Sequence, residues 1–310
     1  MIRYYLHNEI DKTKWDKCIR EAFNGMIYAY SWYLDIVSPE WDALIENDYE
    51  RVFPLPVKKK FGIHYIAQPY FTQQLGLYSK SKINPSTVDS FIKAIPGKFK
   101  LIELNLNTLN NSDEFSGKII PQVNHELDLI KDHEFLFKNY SENTRRNVKK
   151  AGKSGLSVMK NIKPDEIVKL FINNKGKELS NLTEDDYSTL LRLIYSCIQK
   201  GRAELYGIYS PMNDLCAGAV FITNEKKSTF IFSGLSEYGR ENRAMFFLID
   251  KYIEEHAHTH LTFDFDGSND PNLARFYKGF GSTEVKYPRL EINRLPWIVK
   301  LGLALKGKSK

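Results

Sequence analysis

Phe263 and Phe265 alternate with Thr262, Asp264 and Asp266, the period of two that a half-buried strand shows. Residues 267–270 carry turn chemistry. Pro271 suits the first position of a helix, with Asp270 as its cap, and that helix stops at Gly279-Phe280-Gly281. The pattern predicts strand, sharp turn and short helix over 261–281. It sends two acids off one face of a sheet just where a basic and aromatic helix begins. Ligands in α/β sheets collect beyond such strand ends, so the chemistry is expected here.

The same reading predicts helices over 12–23, 30–37 and 85–95, and strands over 41–45 and 101–106. A hairpin is expected from 51–57 and 63–67 around the basic tip Lys58-Lys59-Lys60, with Pro54 and Pro56 leaving one edge unpaired. A polar loop over 110–121 leads to a short strand at 126–130, then a helix within 135–153 and a strand over 156–160. Helices over 164–174 and 184–200 follow, the second with Thr183 and Asp186 at capping spacing. Strands over 203–209, 216–223 and 228–232, an apolar helix over 243–256 and the strand at 261–266 complete the second half. Each half thus runs hairpin, helix, strand, which reads as an internal duplication.

With 310 residues the chain has room for two domains of about 150 each. A hydrophobic content of 42% excludes a disordered chain. The start has no apolar run of signal-peptide length, and the three cysteines are odd in number and far apart. A cytoplasmic protein without a disulfide framework or structural zinc is the expectation.

Charge changes the picture at one place. Eight cations fall between Lys138 and Lys163, with only Glu142 among them, and Arg145, Arg146 and Lys149 share neighbouring helical rows. Such a face either binds phosphates or is simply solvated. Arg240 and Arg243 precede the apolar helix, whose N-terminus favours anions. Tyr70, Gln73 and Gln74 follow the first hairpin and either line a polar pocket or satisfy one another in a loop. The string His256-Ala257-His258-Thr259-His260 offers a metal reading, set against a helix end that favours His256 anyway, and no metal is expected. The apolar, then basic tail from Leu295 is either a docked helix or a peripheral membrane contact.

Three local motifs carry a family resemblance. Residues 143–151, NTRRNVKKA, resemble an R-x-x-I-(K/R)-(K/R)-A helix. Phe265-Asp266-Gly267-Ser268 with Phe276 to Gly281 resemble a strand followed by an F-K-x-G-F-G helix end. Gln73-Gln74-Leu75-Gly76 follow the first hairpin. Together with the duplicated core order, these resemble the Fem-type peptidyltransferases of the GNAT acyltransferase superfamily. The resemblance implies an α/β (α+β) fold of two tandem GNAT-like cores, each a mixed sheet flanked by helices. Residues 1–130 would form the first, 131–294 the second with the active site, and 295–310 the tail.

It also implies an N-acyltransferase, moving an aminoacyl or acyl group to an amine of a cell-wall or other glycan precursor. No cofactor would be bound permanently; the donor would be aminoacyl-tRNA or acyl-CoA, and tRNA a candidate partner. The glycine-rich loop of ordinary GNAT enzymes is replaced by Arg240-Glu241-Asn242-Arg243-Ala244-Met245, which points away from acetyl-CoA. A non-catalytic binder of RNA or anionic glycolipid is the other class. Asp264 or Asp266 is the candidate base, Lys278 the candidate cation, and Tyr277 lies near the place of the family's proton-donating tyrosine, two residues short in spacing.

Overall fold

The computed structural model describes residues 1–60, 62–112, 117–176, 182–267 and 269–295. In chain order the elements are β1 (Ile2–Tyr5), α1 (Lys12–Glu21), α2 (Ser31–Val37), β2 (Asp42–Glu46), β3 (Arg51–Leu55), β4 (Val57–Lys60), β5 (Ile63–Ala67), β6 (Tyr78–Ser79), α3 (Pro85–Lys93) and β7 (Phe99–Asn105). Then come β8 (Lys118–Asp128), α4 (His133–Asn139), α5 (Glu142–Gly152), β9 (Ser157–Lys160), α6 (Pro164–Phe171), α7 (Glu184–Gln199), β10 (Ala203–Tyr209) and β11 (Leu215–Thr223). The chain ends with β12 (Lys227–Leu235), α8 (Glu237–Glu241), α9 (Ala244–His256), β13 (Thr262–Asp264), α10 (Pro271–Lys278) and β14 (Thr283–Asn293). It forms two compact units: residues 1–122 with the segment from Tyr287 on, and residues 123–286.

In the first unit β1, β2, β3 and β6 make an antiparallel sheet. The hairpin β4–β5, the helix α3 and the strand β7 follow, with β7 parallel to β5. The last part of β14 pairs antiparallel with β7. The expected strand over 51–57 therefore divides. Its first part belongs to one sheet, and at Pro56, which has no N–H to continue a ladder, the chain leaves to begin β4 in the other. Lys58, Lys59 and Lys60 are strand residues on an edge, not a hairpin tip.

The second unit repeats the order with β11–β12, α9 and β13, and β13 is parallel to β12. Strand β8 pairs with the far side of β13, and β10 and β9 continue beyond β11. Strand β11 is buried along both faces, which explains its unbroken apolar run. Helix α9 buries Ala244, Leu248, Ile249, Tyr252 and Ile253, the spacing of one helical stripe. Tyr252 stacks on Phe221 with ring centroids 3.6 Å apart. The helix expected within 135–153 is two helices: Tyr140 is extended and buried, and Ser141 caps α5 through the Thr144 amide. Strand β8 starts eight residues before the expected 126, because its exposed first half and Pro121 hide its period.

Two glycines of a cross-strand row, Gly218 and Gly234, let α6 lie directly on this sheet. Gly207, Gly218 and Gly234 face one another across β10, β11 and β12. A methyl group at Gly234 would stand 2.7 Å from the Ile167 carbonyl oxygen and 2.9 Å from the Phe171 nitrogen. At Gly218 it would meet the Ile167 side chain instead, 2.9 Å away. Backbone cannot yield as a side chain can. Gly234→Ala should therefore destabilise the protein by about 1–3 kcal/mol, and Gly218→Ala by less. Urea melts of the two variants check this; equal midpoints would refute the backbone contact.

Candidate active site

The parallel pair β12–β13 parts after three rungs, Lys227 with Thr262, Ser228 with Phe263 and Thr229 with Asp264. Strand β12 runs on to Leu235, but β13 stops. The Phe265 amide turns instead to the His125 carbonyl of β8, 3.0 Å away. The backbone then enters the left-handed region at Asp266 and Gly267, with φ of 50° and 96°. An open fork remains beside Phe230 to Leu235.

Asp264 holds that fork. Its Oδ1 accepts from the Asp266 amide at 3.0 Å and from Asn124 Nδ2 at 2.8 Å, and Asn124 Oδ1 accepts from the Gly267 amide at 3.2 Å. Its Oδ2 lies 3.5 Å from Lys227 Nζ, which also bonds Glu126. Burial raises the Glu126 carboxyl pKa, the Asp264 charge adds to this, and Lys227 opposes it. For Lys227 burial works against the charge, but Asp264 and Glu126 more than offset it and hold the ammonium pKa above its usual value. The two acids expected on one face are thus separated. Asp264 is fully buried on the Lys227 side, whereas Asp266, beyond the strand end and with positive φ, escapes the alternation.

On the other face Tyr277 lies where the strands part. Its ring lies 4.7 Å from Phe265 and 6.5 Å from Phe230, the residue at which β12 loses its partner. Asp270 caps α10 through the amides of Asn272 and Leu273, with Pro271 in the first turn, as the sequence predicts. Burial raises the Tyr277 pKa well above its usual value, and the charges of Asp266 and Asp270 add to it. The phenol stays protonated at neutral pH. Among the described residues no side chain bonds its hydroxyl. Lys278 is exposed. The end of α10 is locked on α5: the Gly279 carbonyl accepts from the Ser141 amide at 2.8 Å. A methyl group at Gly279 would stand 2.4 Å from Thr144 Oγ1.

At the far end of β12, Ser236 caps α8, and Arg243 then takes a left-handed conformation (φ 62°) at the N-cap of α9. Among the described residues no side chain caps α9 at Arg243, which leaves its N-terminus suited to an anion. Arg243 Nη1 bonds the Arg240 carbonyl, and its buried Nε has no partner among the described residues. Solved structures share this architecture. FemX matches 90% of this chain and 96% of its own, with 14% identity and a TM-score of 0.64. A tandem GNAT protein from the clavulanic acid biosynthesis pathway matches 96% of this chain and 99% of its own, at 11% and 0.52. The C-terminal domain of a putative lysylphosphatidylglycerol synthetase from Agrobacterium fabrum matches 93% and 95%, at 12% and 0.53.

The chain has the tandem GNAT fold. No protein-family model and no curated protein sequence matches it. In this GNAT core the turn before α9 forms without glycine at its tightest point: Arg243 takes the positive φ, at a conformational cost of about 1–3 kcal/mol.

The other expected residues are placed as follows. Helix α5 buries Thr144, Val148 and Ala151, and its last turn meets Phe247 of α9. Arg145 bonds the Lys138 carbonyl and Arg146 bonds Asn143. Lys149, Lys150 and Lys153 are exposed without an ion pair among the described residues, whereas Lys138 pairs with Glu134 and Lys160 with Glu255. Tyr70, Gln73 and Gln74 belong to the first unit. Tyr70 is exposed, and the two buried glutamines bond each other at 2.8 Å. Of the three histidines, the His256 ring bonds the Tyr252 carbonyl and Glu204, and the His258 backbone amide bonds the Lys131 carbonyl. Among the described residues no group of His, Cys, Asp and Glu could hold a metal, and no helix is long and apolar enough to cross a membrane. The tail from residue 296, read as either a docked helix or a peripheral membrane contact, lies outside the described residues.

Asn124, Glu126 and Lys227 carry the fork and were not singled out from sequence. Lys227 read as a turn lysine, and its partners Glu126 and Asp264 lie far from it in the chain, one before it and one after. Lys227→Met leaves two buried carboxylates facing each other and should destabilise by about 3–5 kcal/mol near pH 7. A raised carboxyl pKa means that the folded state holds the proton more tightly, so stability falls as pH rises through that pKa. The defect should therefore shrink on acidification toward pH 5. Denaturant melts across that range check it, and a defect constant with pH would refute the coupling.

Proposed function

We propose that the chain is an N-acyltransferase, moving an acyl or aminoacyl group from a phosphate-bearing carrier to an amine. The observation that carries this is the open fork of the second unit, with a protonated tyrosine where the strands part and an uncapped helix end beyond it. An extended donor can add along the unpaired edge of β12, with its phosphates at α9 beside Arg240 and Arg243. The amine nitrogen attacks the carbonyl carbon, and the new C–N bond replaces the bond to the carrier. Asp266, beside Tyr277, takes the proton from the amine. The Tyr277 hydroxyl gives its proton to the leaving oxygen or sulfur. Holding both reactants in one slot contributes about 7–11 kcal/mol, so no covalent enzyme intermediate is needed.

The donor is aminoacyl-tRNA or acyl-CoA. The exposed cations Arg146, Lys149, Lys150 and Lys153 favour a polyanionic carrier such as tRNA, with Lys278 as a further contact. For the acceptor we propose an amine of a cell-wall or other glycan precursor at the cytoplasmic face of the membrane, in keeping with the likeness to FemX. A binder of RNA or anionic glycolipid without turnover is the competing reading.

The test supplies radiolabelled aminoacyl-tRNA or acetyl-CoA together with amine acceptors and follows label transfer. Tyr277→Phe should lower turnover about 10²–10⁴-fold. Its melting temperature should hardly change, since the hydroxyl has no side-chain partner to lose. Turnover unaffected by Tyr277→Phe would remove its role, and binding without transfer would favour the binder.

A further inference from the structure

We infer that only one of the two cores takes a donor, because the chain fills the other fork with its own backbone. The inference rests on the proposed donor slot of the second unit. In the first unit β5 and β7 also part after a few parallel rungs, the last joining Ala67 to Glu103. Here β7 is the strand that runs on, and its edge is taken. The Gln68 amide bonds the Glu103 carbonyl at 3.0 Å, and the Gln68 side chain accepts the Asn105 amide at 2.9 Å. The chain loops out and returns at Leu75, which pairs in parallel with Leu106. The Leu75 amide bonds the Asn105 carbonyl, and the Asn107 amide bonds the Leu75 carbonyl, each at 2.8 Å.

Three asparagines fasten this plug. Asn105 Nδ2 donates to the Gln73 carbonyl at 2.9 Å, and Asn107 Nδ2 to the carbonyls of Leu75 and Leu77 at 3.1 Å. Asn110 accepts the Leu77 amide at 2.6 Å and donates to its carbonyl at 3.0 Å. Gly76 makes the return possible: its φ is 98°, and a methyl group there would stand 2.3 Å from Asn110 Oδ1. Leu75, Leu77 and Leu106 are fully buried. The segment supplies what an extended donor would supply, main-chain pairing on a strand edge with apolar contacts beneath. In the second unit no described segment rejoins the edge of β12 beyond Thr229. The residues Gln73-Gln74-Leu75-Gly76 are thus an internal stand-in for a donor, and the first core is left to another role.

The experiment has two arms on the full chain. Amide hydrogen exchange without ligand should show Leu75 and Asn107 slowed about 10³-fold or more, like the strand β7 beside them. Exchange near the free-peptide rate would overturn the plug. Equilibrium dialysis with radiolabelled acetyl-CoA, and separately with an aminoacylated tRNA minihelix, should saturate at one molecule per chain for the probe that binds. Arg243→Gly should weaken that binding about 10-fold or more without altering Leu75 exchange. Two molecules per chain, or half of the binding surviving in Arg243→Gly, would overturn the inference. No binding of either probe would overturn the donor slot of the second unit, and the exchange arm alone would then decide whether the first fork is closed.

Discussion

A buried carboxylate fixes the place where two parallel strands separate, and the candidate site is built around that parting. Asp264 binds the chain that has just left the strand, through the Asp266 amide, and a side chain of the neighbouring strand, Asn124. Such a charge is tolerable inside a protein only with compensation, which Lys227 supplies while also answering Glu126. Burial pushes the Glu126 carboxyl up, and with two acids to one ammonium the Asp264 charge adds to it while Lys227 opposes it. With the turn so held, Phe265 stays in the core and Tyr277 packs against it. The position of the phenol thus follows from a polar cluster on the opposite face of the sheet.

Local patterns were legible in the sequence and distant partners were not. Alternation and apolar stripes located β11, β12, α7 and α9, and Asp270-Pro271 placed the start of α10 correctly. The duplicated order of hairpin, helix and parallel strand was legible too, since it needs only elements in sequence. Strand β14 was not foreseen. It pairs with β7 across almost two hundred residues, and nothing nearby announces it. The partners of Asp264 were not legible for the same reason. Its alternation with Phe263 and Phe265 gave its face, but Lys227 and Asn124, which decide what it does there, come from other strands.

The two cores show how one architecture can be spent in different ways. Both part a parallel pair after a few rungs. The first then returns its own chain to the vacated edge and secures it with Asn105, Asn107 and Asn110, whereas the second turns away through Asp266 and Gly267. The difference lies in short polar segments after the strands, not in the strands themselves. Main-chain groups on a strand edge want partners whatever the sequence. Whether that partner is internal or foreign is therefore a matter of a few residues.

The ammonium groups of Lys58, Lys59 and Lys60 stand in succession on β4, the outermost strand of its sheet, and all three residues are exposed. An outermost strand invites ladder growth by a second molecule. Three adjacent like charges repel an identical edge at close range, so self-assembly through β4 is held back by electrostatics rather than by geometry. That protection has a range of about 10 Å at 0.1 M ionic strength and only about 3 Å at 1 M. Concentrated brine would thus strip from this margin the barrier that keeps neighbouring molecules apart.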